Sequence, residues 1–288
     1  MKHNMMIVVA LLFFIIHVNS QNNESELKFT TKYYEAVDKW VALPPGDTDS
    51  TYHYGFIYID DEAGFTYHIG SEFYIDDSNH YVSQEADTTF HAKYRIDPNW
   101  TLVTIIPDDI RSELNLPEEP EWLKYYKEES ESTSYLKNIG YHYNHAGASA
   151  LALSPLLKAY AQEPHFKGLE FELSYAYNAL GDYENAIKVL EMAIENDPAN
   201  FFFYRELGFA FKNMNQIDMA ESTYKKGIEL SDNDFEKSEM AVNMAQSYYQ
   251  VRNKEKFDEW AALTRLYAED GSRYEQFIDL FEEKWDEN

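Results

Sequence analysis

Residues 133–234 carry one pattern three times, without a gap, at a fixed step of 34 residues. Gly147, Gly181 and Asn215 mark the same turn in each copy. Ile139, Leu173 and Leu207 keep the step, as do Gly140, Ser174 and Gly208, and Tyr143, Tyr177 and Phe211. Beyond the turn come Ala152, Ala186 and Ala220, then Leu156, Leu190 and Tyr224, then Ala159, Ala193 and Gly227. Pro164 and Pro198 close the first two copies, and Asp232 holds that place in the third.

Helical physics explains each landmark. Ile139, Gly140 and Tyr143 lie at i, i+1 and i+4, which puts an apolar stripe on one helix. Small residues at 140, 174 and 208, facing Ala152, Ala186 and Ala220, let two helices approach to about 8–10 Å. Gly147 and Gly181 suit a left-handed residue after a helix C-terminus, and Asn215 is the next most tolerant type. The prolines stop each unit because they cannot donate to a continuing helix. A single unit cannot bury its apolar faces alone, so the copies must stack into a solenoid.

A 34-residue period with these residue types is similar to the tetratricopeptide repeat, a pair of antiparallel helices per unit. The resemblance covers 133–166, 167–200 and 201–234. Past 234 the period slips. Met244, Ala245, Tyr248 and Val251 fit the first helix of a divergent fourth unit (235–270). Phe257, Trp260, Thr264 and Tyr267 fit its second helix if about three extra residues sit in the turn at 252–256. Tyr274, Phe277, Ile278, Phe281 and Trp285 predict a capping helix over 271–288. Pro155 falls inside the second helix of the first unit, which predicts a kink there or a late start capped by Ser154.

Ahead of the repeats the chain reads differently. Lys2, the apolar run Ile7–Ile16 and the small residues before Gln21 make 1–20 a secretory signal, too short to span a bilayer. Over 21–106, Tyr52, Tyr54, Phe56 and Tyr58 alternate with His53, Gly55 and Ile57, and a second run follows at Phe65, Tyr67 and Ile69. Further runs at 72–75, 90–96 and 100–106 predict a small antiparallel sheet of about five strands. Residues 107–132 form a linker with short helices, ending in a solvated stretch over 128–133. The fold class is therefore α+β, a small N-terminal β domain followed by an α-helical solenoid.

Composition narrows the function. A formal charge of −27 repels nucleic-acid phosphates, so nucleic acid is not a partner. With Cys 0, no disulfide or lipid-bearing cysteine enters the account. No Cys nucleophile, HExxH, Gly-x-Ser-x-Gly or phosphate-cradling loop is present, which points away from an enzyme and from a cofactor. His142 and His145 stand three apart without a third metal ligand in the motif. Asp47-x-Asp49 and Asp76–Asn79 lack the Gly and distal Glu of a calcium loop.

The tetratricopeptide resemblance implies a concave surface built by the first helix of each unit, with a protein or peptide lying across it. Carried onto this chain, that surface takes Lys137, Tyr141, Asn144 and His145 from the first copy. It takes Phe171, Tyr175 and Asn178 from the second, and Phe202, Arg205, Phe209, Lys212 and Asn213 from the third. Chaperone-binding members hold a terminal carboxylate with Lys, Asn, Asn, Lys and Arg. The matching positions here are Lys137, Tyr141, Glu172, Phe202 and Glu206, and the two glutamates would repel that group. The expectation is an exported interaction scaffold, secreted or periplasmic and free of membrane insertion after signal removal, resembling secreted bacterial tetratricopeptide proteins. The alternative is a carbohydrate-recognising envelope protein that uses the aromatic sheet, with the solenoid as spacer.

Overall fold

The computed structural model describes residues 27–46, 50–84 and 92–285. The signal over 1–20, the Asp47-x-Asp49 loop and the start of the 90–96 run lie outside the described residues. Among the described residues six strands form one antiparallel sheet: β1 (Lys39–Ala42), β2 (Thr51–Asp60), β3 (Gly64–Ile75), β4 (Tyr81–Ser83), β5 (Lys93–Arg95) and β6 (Thr104–Ile105). The order is β4-β3-β2-β1-β6, with β5 pairing the first half of β3. What reads as two runs at 65–69 and 72–75 is one strand. Its register against β2 shifts between His53 and Gly55. A Cβ on Gly55 would lie 2.4 Å from the His68 carbonyl oxygen, so only glycine permits the approach there. The 100–106 run shrinks to β6: Trp100 ends a turn, its amide donating to the Asp97 carbonyl at 3.0 Å, its ring packs on Tyr67 at 5.2 Å, and Val103 forms only an isolated bridge with Thr31.

Alternation along β2 divides the sheet's side chains between two covers. Val41, Ile57, Ile59, Phe65 and Tyr67 pack with Tyr135 and Ile139 of the first repeat. Trp40, Tyr54, Phe56, Tyr58 and Phe73 pack with Ile110, Leu114 and Leu123 from the stretch that follows the sheet. That stretch, α1 (Asp108–Glu113) and a 3-10 turn at Glu121–Tyr126, covers the sheet instead of simply connecting two domains. Pro117 accepts a 2.9 Å hydrogen bond from the Trp40 indole. Residues 128–133 are tied down too. Ser132 caps the next helix by accepting from the Tyr135 amide at 3.2 Å, and the Glu131 carbonyl accepts from Gln162 at 3.0 Å.

The rest is helical. The pairs are α2 (Thr133–His145) with α3 (Ser149–Gln162), α4 (Leu169–Ala179) with α5 (Tyr183–Asn196), and α6 (Phe201–Asn213) with α7 (Ile217–Leu230). A fourth pair, α8 (Asp234–Gln250) with α9 (Lys254–Tyr267), is followed by α10 (Arg273–Glu283). Small landmark residues set the approach within pairs. A Cβ on Gly208 would stand 2.6 Å from the Tyr224 ring, and one on Gly140 would stand 2.3 Å from Leu156. Ser174, Ala152, Ala186 and Ala220 are fully buried.

Two local expectations change. Helix α3 runs through Pro155 from Ser149, so Ser154 is not its cap. Proline leaves one carbonyl four residues back without a donor, and that residue, Leu151, is exposed to water. In the fourth unit the three extra residues lengthen α8, not the turn. Left-handed turn residues fall at Gly147, Gly181 and Asn215, and then at Arg252, with the second helix starting two residues later in each case.

Candidate functional site

The first helices α2, α4, α6 and α8 line the concave side, where four hollows of about 190 to 380 Å³ run end to end. The first lies between the β2–β3 turn and α2, and shares Tyr141 and His145 with the second. Tyr175 belongs to both the second and the third. Glu239 and Asn243 belong to both the third and the fourth, which ends against Tyr274 and Phe277 of α10. Helix α10 packs on α8 and α9 and is not wholly polar, since Phe277 and Leu280 stay exposed beside that last hollow.

A polar ladder forms the floor. Asn144 donates to the Glu172 carbonyl and carboxylate, both at 2.9 Å. One repeat later Asn178 does the same to Glu206, at 3.1 and 3.0 Å. Both asparagines are buried, so their amides join neighbouring units as well as lining the groove. Burial raises the Glu172 carboxyl above its ordinary range, and the Asn144 hydrogen bond and Lys137 charge only partly relieve it. Lys137 acts through that field and lies outside the four hollows.

Arg205 is held by three carboxylates: Glu206 at 3.1 Å, Glu236 at 2.5 Å and Glu239 at 3.8 Å. Burial opposes its charge, but the three glutamates outweigh this and raise its pKa. The guanidinium also stands over the Phe171 and Phe202 rings, 5.4 and 5.3 Å from their centroids. Lys212 donates at 2.7 Å to both Asn243 and Gln246, neutral amides that do not offset its burial, and its pKa is pushed down to about 8.

The rings expected along the groove come together. Phe171 packs against Phe202 at 5.6 Å and Tyr175 at 6.4 Å, and Tyr141 stacks on His145 at 6.0 Å. Phe209 lines the third hollow. Asn213 departs from the set, because its amide turns back to the Phe209 carbonyl at 2.8 Å. His142, half-buried in the wall of the first hollow, contacts the Asp61 carbonyl through Nε2 at 2.9 Å and joins α2 to the β2–β3 turn. Asp76 makes a turn between β3 and β4 by accepting from the Ser78 and His80 amides.

Sequence reasoning missed Tyr224, Glu239, Asn243 and Gln246, as well as the contribution of Arg95 from the sheet. Tyr224 had a visible signal, a large polar-tipped residue where Leu156 and Leu190 stand in the other copies. The α8 residues had none, since the period breaks before them.

Stacked helix pairs with a continuous inner groove define a repeat solenoid. The TPR repeat family description matches residues 175–215, and the tetratricopeptide repeat description matches 204–234. The chain carries tetratricopeptide repeats, which generally serve as scaffolds for protein–protein interaction. Similar solved structures include MamA of MSR-1, 23% identical with a TM-score of 0.41 over 48% of this chain and 79% of that one. TTC0263, a thermophilic TPR protein in Thermus thermophilus, is 19% identical with a TM-score of 0.47 over 56% of this chain and 86% of that one. Pseudomonas aeruginosa pilF is 18% identical with a TM-score of 0.45, covering 56% and 75%. No curated protein sequence matches the chain significantly. Among the described residues no helix is long and apolar enough to cross a membrane.

Proposed function

We propose that the concave groove holds an extended segment of a partner protein, running from the sheet-side hollow towards α10. The observation that carries this reading is the continuity of the four hollows through shared residues. Exposed rings stand along that path: Tyr141, Tyr175 and Phe202 are 43, 40 and 37 % exposed. Aromatic anchors of this kind carry a large share of binding energy at interfaces. The sheet offers less to a sugar, because its central rings are spent on two packed faces.

Peptides selected from a random displayed library on the full chain test the groove. Tyr141→Ala with Tyr175→Ala should weaken them by roughly tenfold or more. Tyr94→Ala, at an exposed sheet position, should leave them bound. The opposite pattern would move binding to the sheet. Arg205 is a poor probe, since its loss would strand three carboxylates.

Export completes the proposal, supported by the basic start, short apolar run and small residues before Gln21. Intact mass of material released from expressing cells should match a chain beginning at Gln21. A chain retaining Met1 in the membrane fraction would refute export.

A further inference from the structure

The third hollow, about 280 Å³, lies between α4, α6 and α8 and is also lined by Tyr224 of α7. Resting on the groove reading above, we infer that it receives a cationic side chain of the bound segment, with a guanidinium as the best match. Charge is the first argument. Among the described residues Arg205, Glu206 and Glu239 line the hollow, and Arg205 is also shared with Glu236 just outside that lining, so one guanidinium pairs with three carboxylates and an excess of negative charge remains. Other cations only narrow the gap. Lys212 is held by neutral amides, and Arg273, which donates to the Tyr274 hydroxyl at 2.6 Å, also acts on Glu239, leaving two cations against three carboxylates.

Unspent acceptors are the second and independent argument. Among the described residues the Asn178 Oδ1 and the Tyr224 hydroxyl are buried without a hydrogen-bond partner, on side chains 5 and 0 % exposed, and both line this hollow. Buried polar atoms are nearly always paired, so two such atoms in one wall mark a place for a donor. Tyr224 comes from α7, the outer helix of its pair. Its ring passes under Gly208, where no side chain blocks it, and the charges acting on its phenol are Glu206, Glu239 and Arg205. Burial holds that phenol far above its ordinary pKa, so it stays a neutral hydroxyl able to accept.

The ligand must therefore bring several donors and positive charge together. A carboxylate or phosphate would meet Glu206 and Glu239 head-on. A neutral amide could fill the acceptors but leaves the charge excess. A guanidinium presents five N–H donors in one plane, enough for two neutral acceptors and a carboxylate, and its faces can lie on Tyr175 and Phe209.

Three blocked heptapeptides test this by calorimetry on the full chain. Each has one central residue between two phenylalanines on an alanine background, the centre being arginine, citrulline or glutamate. The arginine peptide should bind roughly tenfold tighter than the citrulline peptide, as a desolvated charge pair would give, and the glutamate peptide should be weakest. Glu239→Gln should erase that preference. Tyr224→Phe keeps the ring, and should reduce the preference about threefold or more by removing one acceptor. Equal affinity for all three peptides, still lowered by Tyr175→Ala, would overturn the cation site and leave the groove standing. Binding of none of them, or binding indifferent to Tyr175→Ala, would overturn the groove and this inference together.

Discussion

The sheet and the concave face are both rich in aromatic rings, and they use them in opposite ways. In the sheet, Phe56 and Phe73 are fully buried, and Phe56 meets Trp40 and Trp122 at 5.3 and 5.9 Å. On the concave face, Tyr141 and Tyr175 keep 43 and 40 % of their surface exposed. The sheet, covered on both sides, spends its central rings on stability and leaves Tyr74 and Tyr94 exposed away from that centre, whereas a solenoid leaves one face of each first helix without a helix to pack on. Aromatic content by itself therefore says nothing about which region binds.

The largest effect should separate the two regions directly. Phe56→Ala should cost about 3–5 kcal/mol in denaturant unfolding, the usual loss for a buried ring. Tyr175→Ala should cost no more than about 0.5 kcal/mol. Similar losses for the two would break the comparison.

Within the solenoid, close approach should matter more than surface charge. Ala186→Leu overpacks a fully buried contact and should cost about 1–3 kcal/mol. Lys188→Leu, exposed and two residues further along the same helix, should stay within about 0.5 kcal/mol. Equal melting shifts would contradict the register that places Ala186 inside.

Glu221 sharpens the contrast between the convex joint and the groove. It accepts from Tyr248 at 2.6 Å and from Lys256 at 2.9 Å, tying α7 to α8 and α9. Burial works against its charge, but hydrogen bonds from Lys225, Tyr248 and Lys256 outweigh it and hold the carboxyl at about 2. A depressed carboxylate pKa stabilises above the unfolded value of 4.5, and that contribution is lost as pH falls towards 2. Glu221→Gln should cost about 1–2 kcal/mol at neutral pH, with the gap to wild type closing between pH 4.5 and 2.

The smallest effect should have the opposite sign. Lys212 titrates near 8 in the fold against 10.5 when free, so burying its charge costs stability below pH 8. Lys212→Met should raise stability at pH 7 by about 1 kcal/mol, since water screens this partly exposed amine. Wild type regains stability as pH rises from 8 to 10.5, so the advantage should shrink across that window. A gain independent of pH would mean the effect is packing alone.

Local chemistry, repeated at a constant step, was enough to read the helix pairs. Gly208 under Tyr224, Ala186 in its contact and the turns at Gly147 and Asn215 each follow from a steric demand within one unit. Alternation gave the strands of the hairpin for the same reason: neighbours in sequence are neighbours in the pleat. Groove residues such as Tyr141, Tyr175 and Arg205 could be placed on the inner helices, but not their partners. Asn144 finds Glu172, Lys212 finds Asn243 and Arg205 finds Glu236 only because one unit stacks on the next. Those pairings depend on inter-unit rotation and on three residues added inside α8, and no local pattern encodes either. The sequence on its own determined which faces must be buried. Tertiary stacking alone decided which buried polar groups found partners, and among the described residues the Tyr224 hydroxyl and the Asn144 and Asn178 amide oxygens are some of those it left without any.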